Sequence, residues 1–413
     1  MSLWFTGTAV LPQLTLQWGS GIAVTSWLTI AVQLGFVAGA LVISIFNLSD
    51  IFRPTRVFVV CALLAAADNA AFVYVAERNA IGAAIFLRML TGAFLAGTYP
   101  TGMKILAGWF KQGRGLALGI MVGALAVGSA APHGVNALGG IRWQTVVLAS
   151  SAMAVVAALI AAFGVSEGPY AAAQPPFDYR KIGDTFRNRK LRLANFGYLG
   201  HMWELYAMWA WIAVIFTGPL FQRWKDAGNP TSFLVPAGGV LPFVRTSEAI
   251  AFYVIAAGAI GCVWAGLVSD RSGATVQQRS RVTIISMAVS GACCVLAAVF
   301  FNHFYLLLAT ALIWGVAIVA DSAQFSAIVS EVSDPDYVGT ALTMQTALGF
   351  LLTAFSIRAI AWVGTNYGWR WAAASMAIGP LLGIVAMLGL LDRGTTGVPP
   401  VAAGETPAVP PTS

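Results

Sequence analysis

The sequence predicts an all-α integral membrane protein of about twelve transmembrane helices, arranged as two pseudo-symmetric six-helix bundles. Three observations carry that reading. Hydrophobic residues make up 58% of the 413-residue chain and charged residues only 9%, with a mean hydropathy of +0.79, whereas soluble domains carry about 25% charge. Apolar runs of bilayer-spanning length recur along the whole chain. A loop signature and a span opening also recur about 220 residues apart, as a duplicated bundle requires.

In order, the apolar runs fall at 1–17, 22–47, 57–76, 80–108, 115–139, 143–164, 191–217, 247–268, 281–301, 304–329, 338–363 and 368–391. The first is short: roughly 17 residues at ~1.5 Å each reach about 25 Å, against a hydrocarbon core of about 30 Å. It has neither the charged start nor the small-residue cleavage site of a signal peptide, and reads as a first helix whose beginning is missing from the chain. Residues 165–190, VSEGPYAAAQPPFDYRKIGDTFRNRK, are the one long internal polar stretch. The expected organisation is an N-terminal bundle over 1–164, a cytoplasmic linker over 165–190, a C-terminal bundle over 191–392 and a disordered tail over 393–413.

Lysine and arginine placement sets the orientation. With the amino end inside, Arg53, Arg56, Lys111, Arg114, the linker cations, Arg271, Arg279, Arg281 and Arg393 are cytoplasmic, against Arg78, Arg142, Arg223, Lys225, Arg245 and Arg370 outside, a positive-inside bias. The net charge of +7 is thus a topology signal with some attraction to anionic lipid. No basic patch with interleaved exposed aromatics points to nucleic acid.

NLSDIFRPTR at 47–56 follows span 2, and GLVSDRSGAT at 266–275 follows span 8; RWQTVVLASSAMA at 142–154 and RWAAASMAIGPLL at 370–382 open spans 6 and 12. On these residues the chain resembles the major facilitator superfamily. That family's loop motif, roughly GxLxDRxGRR, is matched by Asn47, Leu48, Asp50, Arg53 and Arg56, and better by Gly266, Asp270, Arg271 and Gly273. The helix 4 arginine motif is matched by LRMLTGAFLAG with Arg88 and Gly92, and GWFKQGRGLALG at 108–119, containing Arg114, looks like the hinge that follows. The helix 5 antiporter motif is poorly matched by GSAAPHGVNALGG at 128–140, which weighs against an exporter. GHMWELYAMW and its surroundings look like a bacterial branch similar to nitrate, nitrite or cyanate transporters.

The resemblance implies a substrate site between the bundles and a gating role for Asp50, Arg53, Arg56, Arg114, Gly266, Asp270 and Arg271. It also implies a bacterial inner-membrane location with both termini cytoplasmic, and a monomer whose partners are a small-molecule substrate and the bilayer.

Chemistry must come from buried polar groups, because ionisable side chains inside a membrane are costly and default to function. GYLGHMWELYAMWAWI at 197–212 carries His201 and Glu204 about 60° apart on one helix face, with Leu205, Met208 and Ile212. Burial penalises the charged carboxylate and a nearby imidazole competes for the proton, so the pair is a candidate proton-coupling site facing an aqueous passage. Asp68 is a third proton-coupling candidate. Arg88 and Tyr99 share a stripe on span 4, and for Arg88 two readings stand: a fixed ion pair with Asp68, or contact with the substrate. Trp314, Asp321, Gln324 and Phe325 share one side of span 10. Tyr206, Met208 and Trp314 are read as lining the cavity.

Arg358 is a second buried cation. In some members of the family a cation on this helix contacts a carboxylate substrate; snorkelling to the outer surface is the competing reading. His133, beside Pro132, reads as a kink-region core residue.

Cys61, Cys262, Cys293 and Cys294 lie inside spans without CxxC spacing, so neither a disulfide framework nor a zinc site is indicated. No GxxxxGK[ST] loop supports ATP-driven transport. Gly115, Gly119 and Gly123, like Gly35 and Gly39, have the spacing of close helix contact. The expectation is a secondary transporter, without cofactor and driven by the proton gradient, that moves a small organic or inorganic anion with protons. A proton-coupled exporter of amphipathic compounds and a non-transporting receptor on the same scaffold are the alternatives.

Overall fold

The structure, a computed structural model, describes residues 1–110, 113–138, 141–170, 178, 180, 182–226, 246–271, 273, 275–334 and 337–391; the side chains of residues 49–50, 114, 182, 184–185 and 221–226 lie outside that description. The expected tail at 393–413 also lies outside it. Every regular element among the described residues is a helix.

The chain begins with a buried turn over residues 1–5, then α1 (Thr6–Ala9) and α2 (Leu11–Trp18), which ends at Gly19 in the left-handed region (φ 58°). Pro12, in the first turn of α2, has no N–H to continue the ladder, which favours a break at Val10. This broken segment replaces the first predicted span. Eleven helices among the described residues are long and apolar enough to cross a membrane, the first of them Ile22–Ile45. The twelfth element is present but interrupted.

The N-terminal bundle continues with α3 (Ile22–Thr25), α4 (Trp27–Ile45), α5 (Leu48–Ile51), α6 (Pro54–Glu77), α7 (Ile81–Leu95), α8 (Tyr99–Ala107), α9 (Arg114–Ala137) and α10 (Trp143–Gly164). Asn47 precedes α5 with φ 49°, a conformation that asparagine tolerates, so it can stand where the family's loop has glycine. Spans 4 and 10 are each split. Between α7 and α8, Pro100 cannot donate to the carbonyl four residues back.

The second bundle follows α11 (Ile182–Arg187). It comprises α12 (Arg189–Asp226), α13 (Ser247–Arg271), α14 (Val276–Val299), α15 (Phe304–Ala320), α16 (Ser322–Val332), α17 (Val338–Tyr367), α18 (Trp369–Ser375) and α19 (Ile378–Leu391). The break between α15 and α16 falls at Asp321. The membrane window of α12 is 83% buried, more than any other span, so this helix runs through the centre of the protein.

Two helix crossings join the bundles: α9 with α13, and α4 with α17. Since spans 2 and 8, and 5 and 11, correspond in the repeat, these crossings are one contact made twice. The first is the tighter. A Cβ on Gly119 would stand 2.5 Å from the Cys262 carbonyl oxygen, and one on Gly266 would stand 2.7 Å from the Gly115 carbonyl oxygen. The glycine spacing seen in the sequence is therefore a backbone-to-backbone contact between bundles.

Candidate functional site

Where residues 1–5, α4, α12 and α17 meet, the core becomes aromatic. Trp4 lies 4.9 Å from Phe36, 5.1 Å from Phe350 and 5.6 Å from Tyr206 between ring centroids. Phe36 and Phe350 approach to 4.4 Å, and Phe5 stands 5.6 Å from Trp209. These rings come from both bundles, so the cluster lies across the seam between them.

Within or next to the cluster are polar atoms with no hydrogen-bond partner in the protein: Trp4 Nε1, Trp209 Nε1, and both side-chain polar atoms of Gln33 and Gln345. All four side chains are buried, Gln33 at 0% and Gln345 at 2% exposure. Gln33 is one turn from Phe36 on α4, and Gln345 is one turn before Gly349, which faces Tyr198 and Met202. Buried donors and acceptors left unpaired cost about 1–3 kcal/mol each, and clustered at a seam they make a recognition surface for a polar solute. Tyr99, half-buried on α8, lies within electrostatic reach of Tyr198 and Tyr206.

Bonds cross the seam at both faces of the protein. On the face that holds the linker, Ser44 and Thr343 hydroxyls lie 2.9 Å apart. There too, Asp270 accepts from the backbone N–H of Gly115 (3.2 Å) and Leu116 (2.8 Å). The first turn of α9 has no side-chain cap from its own bundle; Asp270 supplies one from the other. On the opposite face, Arg358 donates to the Ala23 carbonyl at 2.9 Å, and His133 Nδ1 lies 2.5 Å from Glu248 Oε2. The conformation is closed at both ends.

The predicted proton pair sits elsewhere than expected. Glu204, 1% exposed, accepts from Trp314 Nε1 (2.5 Å), Ser290 Oγ (3.0 Å) and Cys294 Sγ (3.1 Å). His201 Nδ1 lies 2.9 Å from Asp321 Oδ1, out of line for a hydrogen bond, and its Nε2 lies 2.9 Å from Ser322 Oγ. All these partners belong to the C-terminal bundle. The expectation of a single His201–Glu204 patch facing an aqueous passage is corrected: the two have separate partners inside one bundle, because the face of α12 turned to the seam is the one bearing Tyr206 and Trp209. Met208 is fully buried, and Trp314 is spent on Glu204 rather than on a cavity.

Arg88 is fully buried and bonds only within its bundle: Nη2 to the Leu3 and Trp4 carbonyls (2.9 and 2.7 Å), Nη1 to Asn69 Oδ1 (2.8 Å) and Nε to the Leu28 carbonyl (3.4 Å). The broken first segment leaves those carbonyls free and the guanidinium gathers them. Asp68, half-buried, instead accepts from Thr91 Oγ1 at 2.5 Å, so neither reading offered for Arg88, the Asp68 ion pair or substrate contact, matches its bonds. Arg358 is exposed, not buried.

Of the motif residues, Arg53, Arg56 and Arg271 are exposed, Gly266 and Asp270 lie at the α9–α13 crossing, and the side chains of Asp50 and Arg114 fall outside the described residues. On the same face, Arg279 bonds Glu331 (2.7 Å), Ser269 (3.0 Å) and Gln324 (2.9 Å), tying α13, α14 and α16 together.

Sequence reasoning overlooks Gln33, Gln345, Trp4 and the His133–Glu248 pair. Gln33 and Gln345 are neutral amides in apolar runs, a signal present in the sequence that a search for charges passes over. The other two depend on contacts between distant segments.

The profile of the Major Facilitator Superfamily matches residues 1–277 and again residues 241–412. No protein with a curated description matches the sequence. Among solved structures, the proton:xylose symporter XylE bound to 6-bromo-6-deoxy-D-glucose is similar, at 12% sequence identity and a TM-score of 0.65 over 94% of this chain and 93% of that one. At such identity the likeness is one of fold. With two bundles joined by paired crossings, and a family profile that covers almost all of it, the chain belongs to the Major Facilitator Superfamily and is a multi-pass membrane transporter, not an enzyme.

Proposed function

We propose that this protein is a secondary transporter that carries a small weak acid together with its proton through the seam, by rocking one bundle against the other. The observation that supports this most is the sealed aromatic cluster with unpaired indole and amide groups at Trp4, Gln33, Trp209 and Gln345. Indole nitrogens only donate and amides both donate and accept, so the set offers more donors than acceptors and suits a ligand rich in oxygen.

An isolated anion does not fit. Both cations expected to meet it are committed elsewhere, Arg88 to four protein acceptors and Arg358 to Ala23. An uncompensated buried carboxylate costs several kcal/mol. The expected coupling of an anion to protons is therefore retained in another form: the acid binds protonated, and no permanently charged anion such as nitrate is carried. Glu204 and His201 then serve as the polar interior of one bundle. The protein acts as a monomer in a bacterial inner membrane with both termini cytoplasmic.

The test combines thermal shift and uptake. Acetate and lactate at pH 5.5 should raise the melting temperature of the purified protein by mass action, and an inward acid gradient should drive labelled lactate into proteoliposomes. Gln33→Leu and Gln345→Leu should abolish both responses without lowering the melting temperature of the free protein, since neither amide has a partner to lose. Binding of xylose with no response to any weak acid would overturn the substrate reading.

A further inference from the structure

We infer that the corner between α17 and α18 is a binding groove for one anionic phospholipid of the leaflet opposite the linker, with Arg370 taking its phosphate. This holds whichever solute the protein carries.

A single residue makes the corner. Gly368, with φ 96° and ψ 152°, joins the last turn of the 30-residue α17 to α18, a conformation that residues with a Cβ rarely adopt. The two helices leave it as the arms of a V. Trp369 fills the inner side: its ring lies 5.3 Å from that of Trp211 on α12, and a Cβ on Gly364 would stand 2.8 Å from it. Trp371, two residues on and about 200° round the helix, lies on the other side. That side is an open groove of about 490 Å³ lined by Val363, Tyr367, Trp371, Ala374, Ser375 and Ile378. Ser375 gives its hydroxyl to the Ala372 carbonyl at 2.8 Å, so the floor offers a ligand hydrocarbon contact and no free donor.

Apolar side chains facing lipid are ordinary on a membrane-spanning surface and identify no site. This surface is concave, and it has a cation at its outer rim. Arg370 is exposed, and its guanidinium carbon stands 5.7 Å from the centre of the Trp371 ring. Among the described residues it has no hydrogen bond or ion pair. Stacked on a ring that borders the groove, the charge is held where a phosphate would sit once an acyl chain lay along the lining. Tyr367 and Trp371, 63% and 57% exposed, are of the type that stands at headgroup level. A zwitterionic headgroup carries its own cation, which competes with Arg370 for the phosphate; an anionic headgroup does not.

The repeat supplies a comparison. Arg142 and Trp143 open the sixth span as Arg370 and Trp371 open the twelfth. Trp143 is only 7% exposed: its Nε1 donates to Gln17 Oε1 at 3.0 Å, and its ring meets that of Phe72 edge-on at 6.4 Å. The protein covers the first tryptophan, while no described residue covers the second. The groove opens on the bilayer, which supplies the cover.

The test is photolabelling of the full chain in nanodiscs of phosphatidylglycerol or phosphatidylcholine, each with the same diazirine-bearing acyl chain, and with labelled residues mapped by mass spectrometry. Exposed Phe86 and Met89 of α7 serve as the lipid-facing reference. Relative to them, labelling over residues 363–378 should be about fivefold higher with phosphatidylglycerol, the weight of one cation near an anionic headgroup. Arg370→Gln, at an exposed position, should make the two lipids equal without changing the melting temperature. Ala374→Leu fills the groove and should lower labelling by both. Equal or absent labelling of the groove in the parent overturns the proposal even if neither variant folds. So does a phosphatidylglycerol preference that survives Arg370→Gln, and so does labelling unchanged by Ala374→Leu.

Discussion

Arg88→Ala tests what the deepest cation in the N-terminal bundle does. Three of its bonds are short, at 2.7 to 2.9 Å, and all acceptors are uncharged: the Leu3 and Trp4 carbonyls and Asn69 Oδ1. Hydrogen bonds to a charged group contribute about 1.5–3 kcal/mol, and acceptors orphaned in a buried site add a penalty. Cooperation and relaxation reduce the sum, so the expected loss is about 3–5 kcal/mol.

The loss should be local. Those carbonyls belong to the turn ahead of α1, so undocking of residues 1–18 relieves most of the defect. Hydrogen exchange read by mass spectrometry should show protection of residues 1–18 falling about 100-fold or more, because each ~1.4 kcal/mol is a factor of ten. Helices α13 to α19 should change little. Arg88→Lys should recover only part, since a single ammonium cannot replace a planar fork that reaches three separate acceptors. A variant that keeps wild-type exchange over residues 1–18 but loses solute binding would refute the reasoning and return Arg88 to the role of substrate ligand.

Three further outcomes follow from the same geometry. Gly119→Val places a side chain against the Cys262 carbonyl and should cost about 1–3 kcal/mol of stability, seen as a lower melting temperature. Asp270→Ala removes the only side-chain cap among the described residues on the first turn of α9 and should raise hydrogen exchange at residues 114–117 about tenfold, from a cap worth about 0.5–2 kcal/mol. Glu204→Gln turns an acceptor-only carboxylate facing three donors into a group that carries donors of its own; it should lower the melting temperature, at about 1–3 kcal/mol. The pH profile of lactate uptake should stay within about twofold of the parent's. A shifted profile would restore Glu204 as the proton carrier.

Much of the fold is legible because membrane burial and duplication both write themselves into one dimension. Apolar runs of fixed length give the spans, and paired loop motifs give the two bundles. The first segment departs from the pattern for a reason equally local, since Pro12 and the short run leave a broken helix. What periodicity cannot give is which face of a helix meets which neighbour. His201 and Glu204 share a face of α12, as their spacing requires, yet that face turns into its own bundle. The same helix shows Tyr206 and Trp209 to the seam, two and five residues beyond Glu204. Arg88 is recognisable as buried from sequence, but its partners are carbonyls, and no sequence signal identifies a free carbonyl.

The duplicated crossings are equivalent in backbone and unequal in chemistry, and that inequality has mechanical consequences. At α4–α17 the ends are tied by a hydroxyl pair, Ser44 and Thr343, and by an exposed arginine on a carbonyl, Arg358 on Ala23. Exposed or neutral bonds of this kind exchange with water at a net cost of about 1 kcal/mol. At α9–α13 the ends are tied by a carboxylate capping a helix and by the buried His133–Glu248 pair, with glycine-to-backbone contact between them. Separating these ends uncovers charge and opens close packing together. Rocking about a seam with one stiff edge and one soft edge makes the stiff edge the one whose bonds decide which face opens. Control of access should therefore respond to substitutions along α9 and α13 far more than to equivalent ones along α4 and α17. With spin labels at Arg56→Cys and Arg281→Cys, exposed positions on the linker face of the two bundles, Ser44→Ala, which removes a bond at the soft edge, should leave the distances measured by double electron–electron resonance unchanged, while Asp270→Ala broadens them.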